Sequence, residues 1–296
     1  MDSHANQRNP NGEHPRTSTD NVFRDTNKLD LRNEIQEKYR SHPVAWQEWV
    51  FQSMELPENS RVLELGAGTG TLWQGNADRL KSRIPASWEI LLTDRALDMV
   101  QKARANLTTM QSGMAFLNLD GQALPFPEES FDAVIAIGLL DLVPDLNQAM
   151  SEAWRVLRPS GQLIATAGGK GHLEELEDLL RPYLPPGTAE TLGGNEDQFG
   201  MENGEMHLAR FFEEVVRRDY TDRLVFQELE PILEYALSEQ AIARAIPLTR
   251  LGECVRYIRQ NLEKFGKVTV TVRKGLFVAR KKMINSPAAP IHPPAG

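Results

Sequence analysis

Cysteine occurs once in the 296 residues, at Cys254. A lone thiol excludes an internal disulfide and any cysteine-built metal cluster, and its expected role is a small apolar filler in a helix. Long apolar runs are also missing: no stretch approaches the roughly 20 residues that a membrane-spanning helix needs. Residues 1–26 are polar and lack the apolar segment of a secretory signal, so a cytoplasmic chain with no membrane partner is the expectation. Positive charge is in deficit, with 33 Lys and Arg against 41 Asp and Glu and a formal net charge of −8. A nucleic-acid binder ordinarily carries a basic excess, so nucleic acid is not the expected partner. No internal repeat is visible. With 41% hydrophobic residues, the chain has enough apolar material for one large domain, and no metal ligand set stands out.

What is present centres on Val62-Leu63-Glu64-Leu65-Gly66-Ala67-Gly68-Thr69-Gly70. A short apolar run reads as a buried strand, three alternate glycines follow, and a helical pattern begins near Thr71. Such a turn lets backbone approach a ligand closely, because glycine has no side chain in the way. A dinucleotide fingerprint would require glycine at position 71, which is threonine, so a nicotinamide oxidoreductase is disfavoured. A second strand, 89–94, closes on Asp94. In an open parallel sheet, ligands sit beyond the carboxyl ends of the strands, where a carboxylate can accept two ribose hydroxyls. The same acid could instead cap the helix that starts at Ala96. Further strands are expected at 115–119, 130–137 and 162–167, with helices at 76–83, 96–107 and 146–157 between them.

The order Glu-x-Gly-x-Gly-x-Gly resembles the first motif of the class I S-adenosylmethionine-dependent methyltransferases. The later runs LPFPEESFDAV and EAWRVLRPSGQLIA resemble that family's passages into its fourth and fifth strands, so the likeness spans about 61–168. It implies an α/β, Rossmann-like, doubly wound seven-stranded sheet with an antiparallel last strand and helical lid insertions. It implies S-adenosyl-L-methionine as cofactor and a site drawn from Glu64, Gly66, Ala67, Gly68, Gly70, Asp94, Arg95 and Ile137. Asp120 would meet the adenine amino group, with Gly121 and Gln122 near the ring. Leu97, Met99 or Leu124 could sandwich the ring. In many members a helix before the first strand lies over the cofactor, which points to Tyr39.

The family often places reacting-site residues after the fourth strand. Many members carry His or an aromatic residue where this chain has Asp141 or Leu142. Asp141 could orient an acceptor hydroxyl or amine, or it could bond the backbone of the Val143–Pro144 turn. His207 and His172 are the histidines offered as a general base, each with a packing role as the alternative. An Asn-Pro-Pro-Tyr run, typical of amino-adenine methylation, is absent.

The expected organisation is a tail (1–26), N-terminal helices (27–56) broken at Pro43, a cofactor-binding core (61–168), a lid and substrate region (169–265), a terminal hairpin (266–282) and a second tail (286–296). The expected activity is methyl transfer to O, N or C of a small-molecule acceptor. The alternative is a cofactor-binding cyclase or sensor. The aromatics of the first helices could cover the pocket or join two copies as a homo-oligomer.

Overall fold

The apolar runs of the sequence form the middle of a seven-stranded sheet in a computed structural model that describes residues 26–74, 84–108, 113–185, 195–238 and 246–282. The strands are β1 (Arg61–Leu65), β2 (Glu89–Asp94), β3 (Met114–Asn118), β4 (Phe131–Ala136), β5 (Leu157–Gly168), β6 (Glu214–Phe226) and β7 (Val268–Arg280). Their order is 3-2-1-4-5-7-6. β1 to β5 pair in parallel, while β7 runs antiparallel to both β5 and β6. The central strands are buried on both faces, with Val62, Leu63, Val134, Ile135 and Ile164 at 1% exposure or less. That double burial explains why they read as continuous apolar runs without alternation. The order reverses between β1 and β4, and the crevice there lies at the carboxyl ends of the strands.

Helices cover both faces. One layer packs α4 (Leu146–Val156) against Leu63, Phe131, Val134 and Leu163. The other packs α2 (Trp46–Gln52) and α3 (Leu97–Asn106) against Val62, Ile90, Leu92 and Ile135. The short helices α6 (Glu196–Phe199) and α7 (Gly204–Leu208) join the first layer through Phe199 and Leu208. A third apolar cluster stands beyond the carboxyl end of β5, where β6 and β7 extend past it. There α1 (Thr26–Tyr39), α5 (Glu174–Leu180), α8 (Leu229–Ser238) and α9 (Leu248–Phe265) surround Leu224, Phe226, Val270 and Val272. Cys254 is buried in this cluster, as an apolar filler should be.

The break at Pro43 separates α1 from α2, as expected of a residue without an amide hydrogen. The interrupted backbone is satisfied elsewhere: the Ser41 and His42 amides both donate to Asp222 Oδ1, at 3.0 and 2.7 Å. The expected terminal hairpin is corrected. Arg273, Lys274 and Gly275 do not turn but continue a single 13-residue strand paired on both sides. Gly275 serves close packing instead, since a Cβ there would stand 2.8 Å from Met201 Cγ. Residues 214–226, inside the region expected as lid, form the single strand β6 at the sheet's edge. Apart from Thr26, which opens α1, both tails and the helix expected at 76–83 lie outside the described residues.

Candidate cofactor site

The turn after β1 is held open by backbone conformation. Gly66, Gly68 and Gly70 have φ of +64°, +55° and +79°, which side-chain-bearing residues rarely adopt. Space is short as well. A Cβ on Gly66 would lie 2.7 Å from Leu139 Cδ1, and one on Gly70 would lie 2.8 Å from Leu107 Cδ1. The Ala67 amide donates to Thr93 O at 2.9 Å, and the Gly68 amide donates to Asp94 Oδ2 at 3.0 Å. The other oxygen, Oδ1, accepts from the Ala96 amide at 2.8 Å. Asp94 thus ties the turn to the backbone at Ala96, and an ionised carboxylate, with about four acceptor positions, keeps capacity for further donors. Burial pushes the Asp94 carboxyl up, and the Ala96 and Gly68 amides pull it back.

Asp120 lies just past the tip of β3, beside the tip of β2, for Leu119 N donates to Asp94 O at 3.1 Å. Its Oδ1 accepts from the Gln122 amide at 2.9 Å and from Gln122 Nε2 at 3.1 Å. Gln122 in turn accepts from the Asp145 amide at 2.8 Å, tying this turn to the start of α4. Gly121 packs over Leu65, with a projected Cβ 3.6 Å away. Of the three apolar side chains considered for the adenine ring, Met99 and Leu124 are 3% and 5% exposed, whereas Leu97 is 53% exposed. Leu97 is the one presented at the rim. Arg95 is exposed, and Ile137 is half-buried after β4.

Glu64 supports the turn from beneath. It is 2% exposed and its Oε2 accepts from Trp73 Nε1 at 2.6 Å. Burial raises its carboxyl to about 7, against the pull of the Trp73 hydrogen bond and with a smaller push from Asp94. A carboxylate taken out of water with one neutral donor is expected to behave this way. Trp73 itself carried no sequence signal beyond an apolar residue in a helix.

Tyr39 is corrected. Its ring packs against Phe226 at 4.9 Å in the cluster beyond β5. The helix before β1 does lie over the glycine turn, but through its first half. Leu29 Cδ2 stands 3.1 Å from the Cβ position of Gly68, and Asn33 Nδ2 donates to Thr71 Oγ1 at 3.0 Å. Lys102 of α3 pairs with Asp30 at 3.2 Å. Helical periodicity alone does not say which turn of a helix meets a loop 38 residues later.

Asp141 lies in the loop after β4, its carboxyl raised by burial and held by its own amide and that of Asn195. That bond replaces the expected one to the Val143–Pro144 turn. His207 sits in α7 beside Phe199, ring centroids 6.5 Å apart, with Nδ1 buried and without a hydrogen-bond partner. Gly204, three residues earlier, packs on Phe277 within the sheet's apolar layer, which Leu208 also joins. His172 is held down to about 3, first by burial and then by Lys274 and Arg32. Its Nδ1 accepts from the Arg273 amide at 3.2 Å. An imidazole that protonates only in strong acid is a weak base at neutral pH. The N-terminal tryptophans pack within the chain, Trp46 on Trp49 and both on Tyr220. Among the described residues no group of three or more His, Cys, Asp or Glu could hold a metal ion.

A glycine turn at the switch point of an open parallel sheet, with an acid at the tip of the next strand, is where α/β proteins of this architecture bind ligands, and comparison with known proteins narrows the class. A family profile described as "Methyltransferase domain" matches residues 63–165. The ubiquinone/menaquinone biosynthesis C-methyltransferase UbiE of Rickettsia bellii is 29% identical over 178 residues, covering 58% of this chain and 70% of that enzyme. The [4+2]-cyclase SpnF superposes with a TM-score of 0.56 at 18% identity, covering 91% of this chain and 98% of its own. The Haemonchus contortus phosphoethanolamine N-methyltransferase 2, solved with S-adenosylhomocysteine, gives 0.54 at 14% identity, covering 92% and 62%. At these identities the two structures speak for the fold alone. Residues 63–165 are thus similar to the methyltransferase-domain family, and the fold around them is one that methyltransferases and SpnF share.

Proposed function

We propose that the crevice formed by 66–70, Asp94 and Asp120 holds S-adenosylmethionine and that the chain moves its methyl group to O, N or C of the acceptor. The observation that carries this reading is the Asp94 carboxylate on the Gly68 amide, 3.0 Å away. It puts an acid with remaining acceptor capacity at the open edge of a turn too tight for side chains. Asp94 would accept the ribose hydroxyls, Asp120 and the 121–122 backbone would meet the adenine, and Leu97 would cover its face. Ile137 and Arg95 would border the same crevice, and Glu64 would act from below through Trp73.

The bound sulfonium supplies an already reactive methyl group whose carbon–sulfur bond breaks as the acceptor's lone pair bonds to the carbon. The protein's part is then to align the acceptor in line with the sulfur and to keep water out. Leu29 and Asn33 close the crevice from above. Asp141 remains the candidate for orienting an acceptor hydroxyl or amine. The organisation proposed is a 61–168 cofactor core whose sheet is completed by β6 and β7, with the remaining helices of the 169–265 region beside the acceptor as lid.

Calorimetric titration with S-adenosylhomocysteine tests the cofactor site, with Asp94→Ala as comparison. Unchanged affinity in a folded Asp94→Ala chain would remove the assignment. Incubation with methyl-labelled cofactor and a small-molecule extract tests the transfer itself.

A further inference from the structure

The sheet ends on β3 at one side and on β6 at the other. Part of the β6 edge is already taken. Arg40 bridges Leu224, the Ser41 amide donates to Arg223 O at 2.9 Å, and the Tyr220 hydroxyl donates to Val44 O at 2.9 Å. From Glu214 to Asp219 the strand pairs only with β7 among the described residues. Glu214, Val216, Arg217 and Asp219 are exposed there. An open edge of this kind is a template for another strand.

The bonds at the covered end fix which residues face outward. Arg223 turns its carbonyl to Ser41, and the β6–β7 register runs from 214 to 226 without a shift. Backbone groups alternate along a strand, so Val215, Arg217 and Asp219 also turn theirs outward. Side chains alternate between the faces. Glu214, Val216 and Arg218 stand opposite Arg280, Val278 and Leu276 of β7, on the face that α2 covers. Val216 is 42% exposed at the rim of that layer, whereas Val278 beside it is 7% exposed.

We propose that this edge pairs with the same edge of a second copy of the chain, antiparallel and centred on Val216. Outward-facing residues must meet outward-facing residues, so the two-fold axis passes through a residue and not between two. An axis at Arg217 or Arg218 sets the same arginine of both copies against itself, and like charges directly opposite are destabilising. An axis nearer either end runs off the strand or under the 40–44 segment. The axis at Val216 sets valine against valine and places Glu214 of each copy opposite Arg218 of the other. Val215 and Arg217 then exchange about four backbone hydrogen bonds across the axis. Both charged residues have capacity left. Glu214 Oε2 is 3.7 Å from Arg280 Nε, beyond hydrogen-bond length. Arg218 reaches Glu55 at 3.0 Å and Ser53 O at 3.5 Å, and a guanidinium carries further donors. Glu213 and Asp219 also fall opposite one another, but Lys282 and Arg217 already neutralise them, each at 2.8 Å. An edge this short makes a weak dimer. β4, β5 and β7 separate it from the glycine turn after β1, so the pairing does not depend on what that turn binds.

Sedimentation of the full chain from micromolar to submillimolar concentration tests this, and a concentration-dependent monomer–dimer equilibrium is expected. Glu214→Arg and Arg218→Glu should each weaken the dimer about tenfold, because each sets like charges opposite at both ends of the pairing. An equal mixture of the two variants should recover it, since in the mixed pair each introduced charge meets its opposite. Thermal melts of each variant alone verify that the fold is kept. Val216→Cys reads the same register without a change of charge. Mild oxidation should join two copies through that position, and the wild-type chain, whose one cysteine is buried, should not crosslink. A chain that stays monomeric throughout would mean that the charges only guard the edge, and it would overturn the proposal. A dimer that the mixture does not restore, or that Val216→Cys does not crosslink, would use another surface and would overturn it as well.

Discussion

Asp94 and Glu64 are carboxylates on adjacent strands with opposite tasks. Asp94 borders the glycine turn, and on the proposed reading its replacement by alanine should remove two charge-assisted ribose bonds. At about 1.5–3 kcal/mol for each bond to a charged group, S-adenosylhomocysteine affinity should fall at least tenfold in calorimetry. Glu64 faces inward, and its carboxyl is raised to about 7. A folded-state value above the unfolded one, 4.5, means that the folded chain keeps a proton the unfolded chain has released. The associated stability is present below pH 4.5 and is lost as pH rises through about 7. Glu64→Gln, which keeps an acceptor for Trp73, should therefore flatten the fall in melting temperature between those two values. Thermal melts at several pH values check this, and an unaltered slope would show that Glu64 is ionised when folded.

Local elements were legible where their cause was local. The strand, glycine turn and acid-tipped second strand announce themselves within 62–94, because chain geometry over short distances fixes them. Even the positive φ values follow from glycine at alternate positions. Gly66→Ala should cost about 1–3 kcal/mol through its φ of +64° and its contact with Leu139. Chemical denaturation measures that loss, and cofactor binding should fall with it. The α1–α2 connection is equally specific. Asp222 Oδ1 accepts from the Ser41, His42 and Arg223 amides. Asp222→Ala leaves these amides without that acceptor, a loss of about 1–3 kcal/mol. Hydrogen exchange should show it as faster exchange across 40–46.

The molecule as a whole was less legible, and the reason is separation along the chain. Arg32 meets Ser238 across 206 positions, and Gln36 meets Tyr235 across 199. No periodicity within α1 reveals either partner. The same distance misdirected the reading of Tyr39, which has the right helix and the wrong end of it. The described residues include no helix long and apolar enough to cross a membrane. Ligand linkage should be measurable across the whole fold. At 100 times its dissociation constant, S-adenosylhomocysteine should stabilise the chain by about 2.7 kcal/mol. The accompanying slowing of amide exchange should extend through 26–39, because Leu29 and Asn33 rest on the turn.

That first helix has a consequence for the order of events. It is fastened at one end to the glycine turn through Asn33 and along its flank to α8 and β7 through Arg32 and Gln36. A helix latched at both places cannot lift from the turn without loosening its hold on the flank. If the turn seats the donor as proposed, filling it first steadies the latch, and kinetics should show an ordered sequence, donor before acceptor.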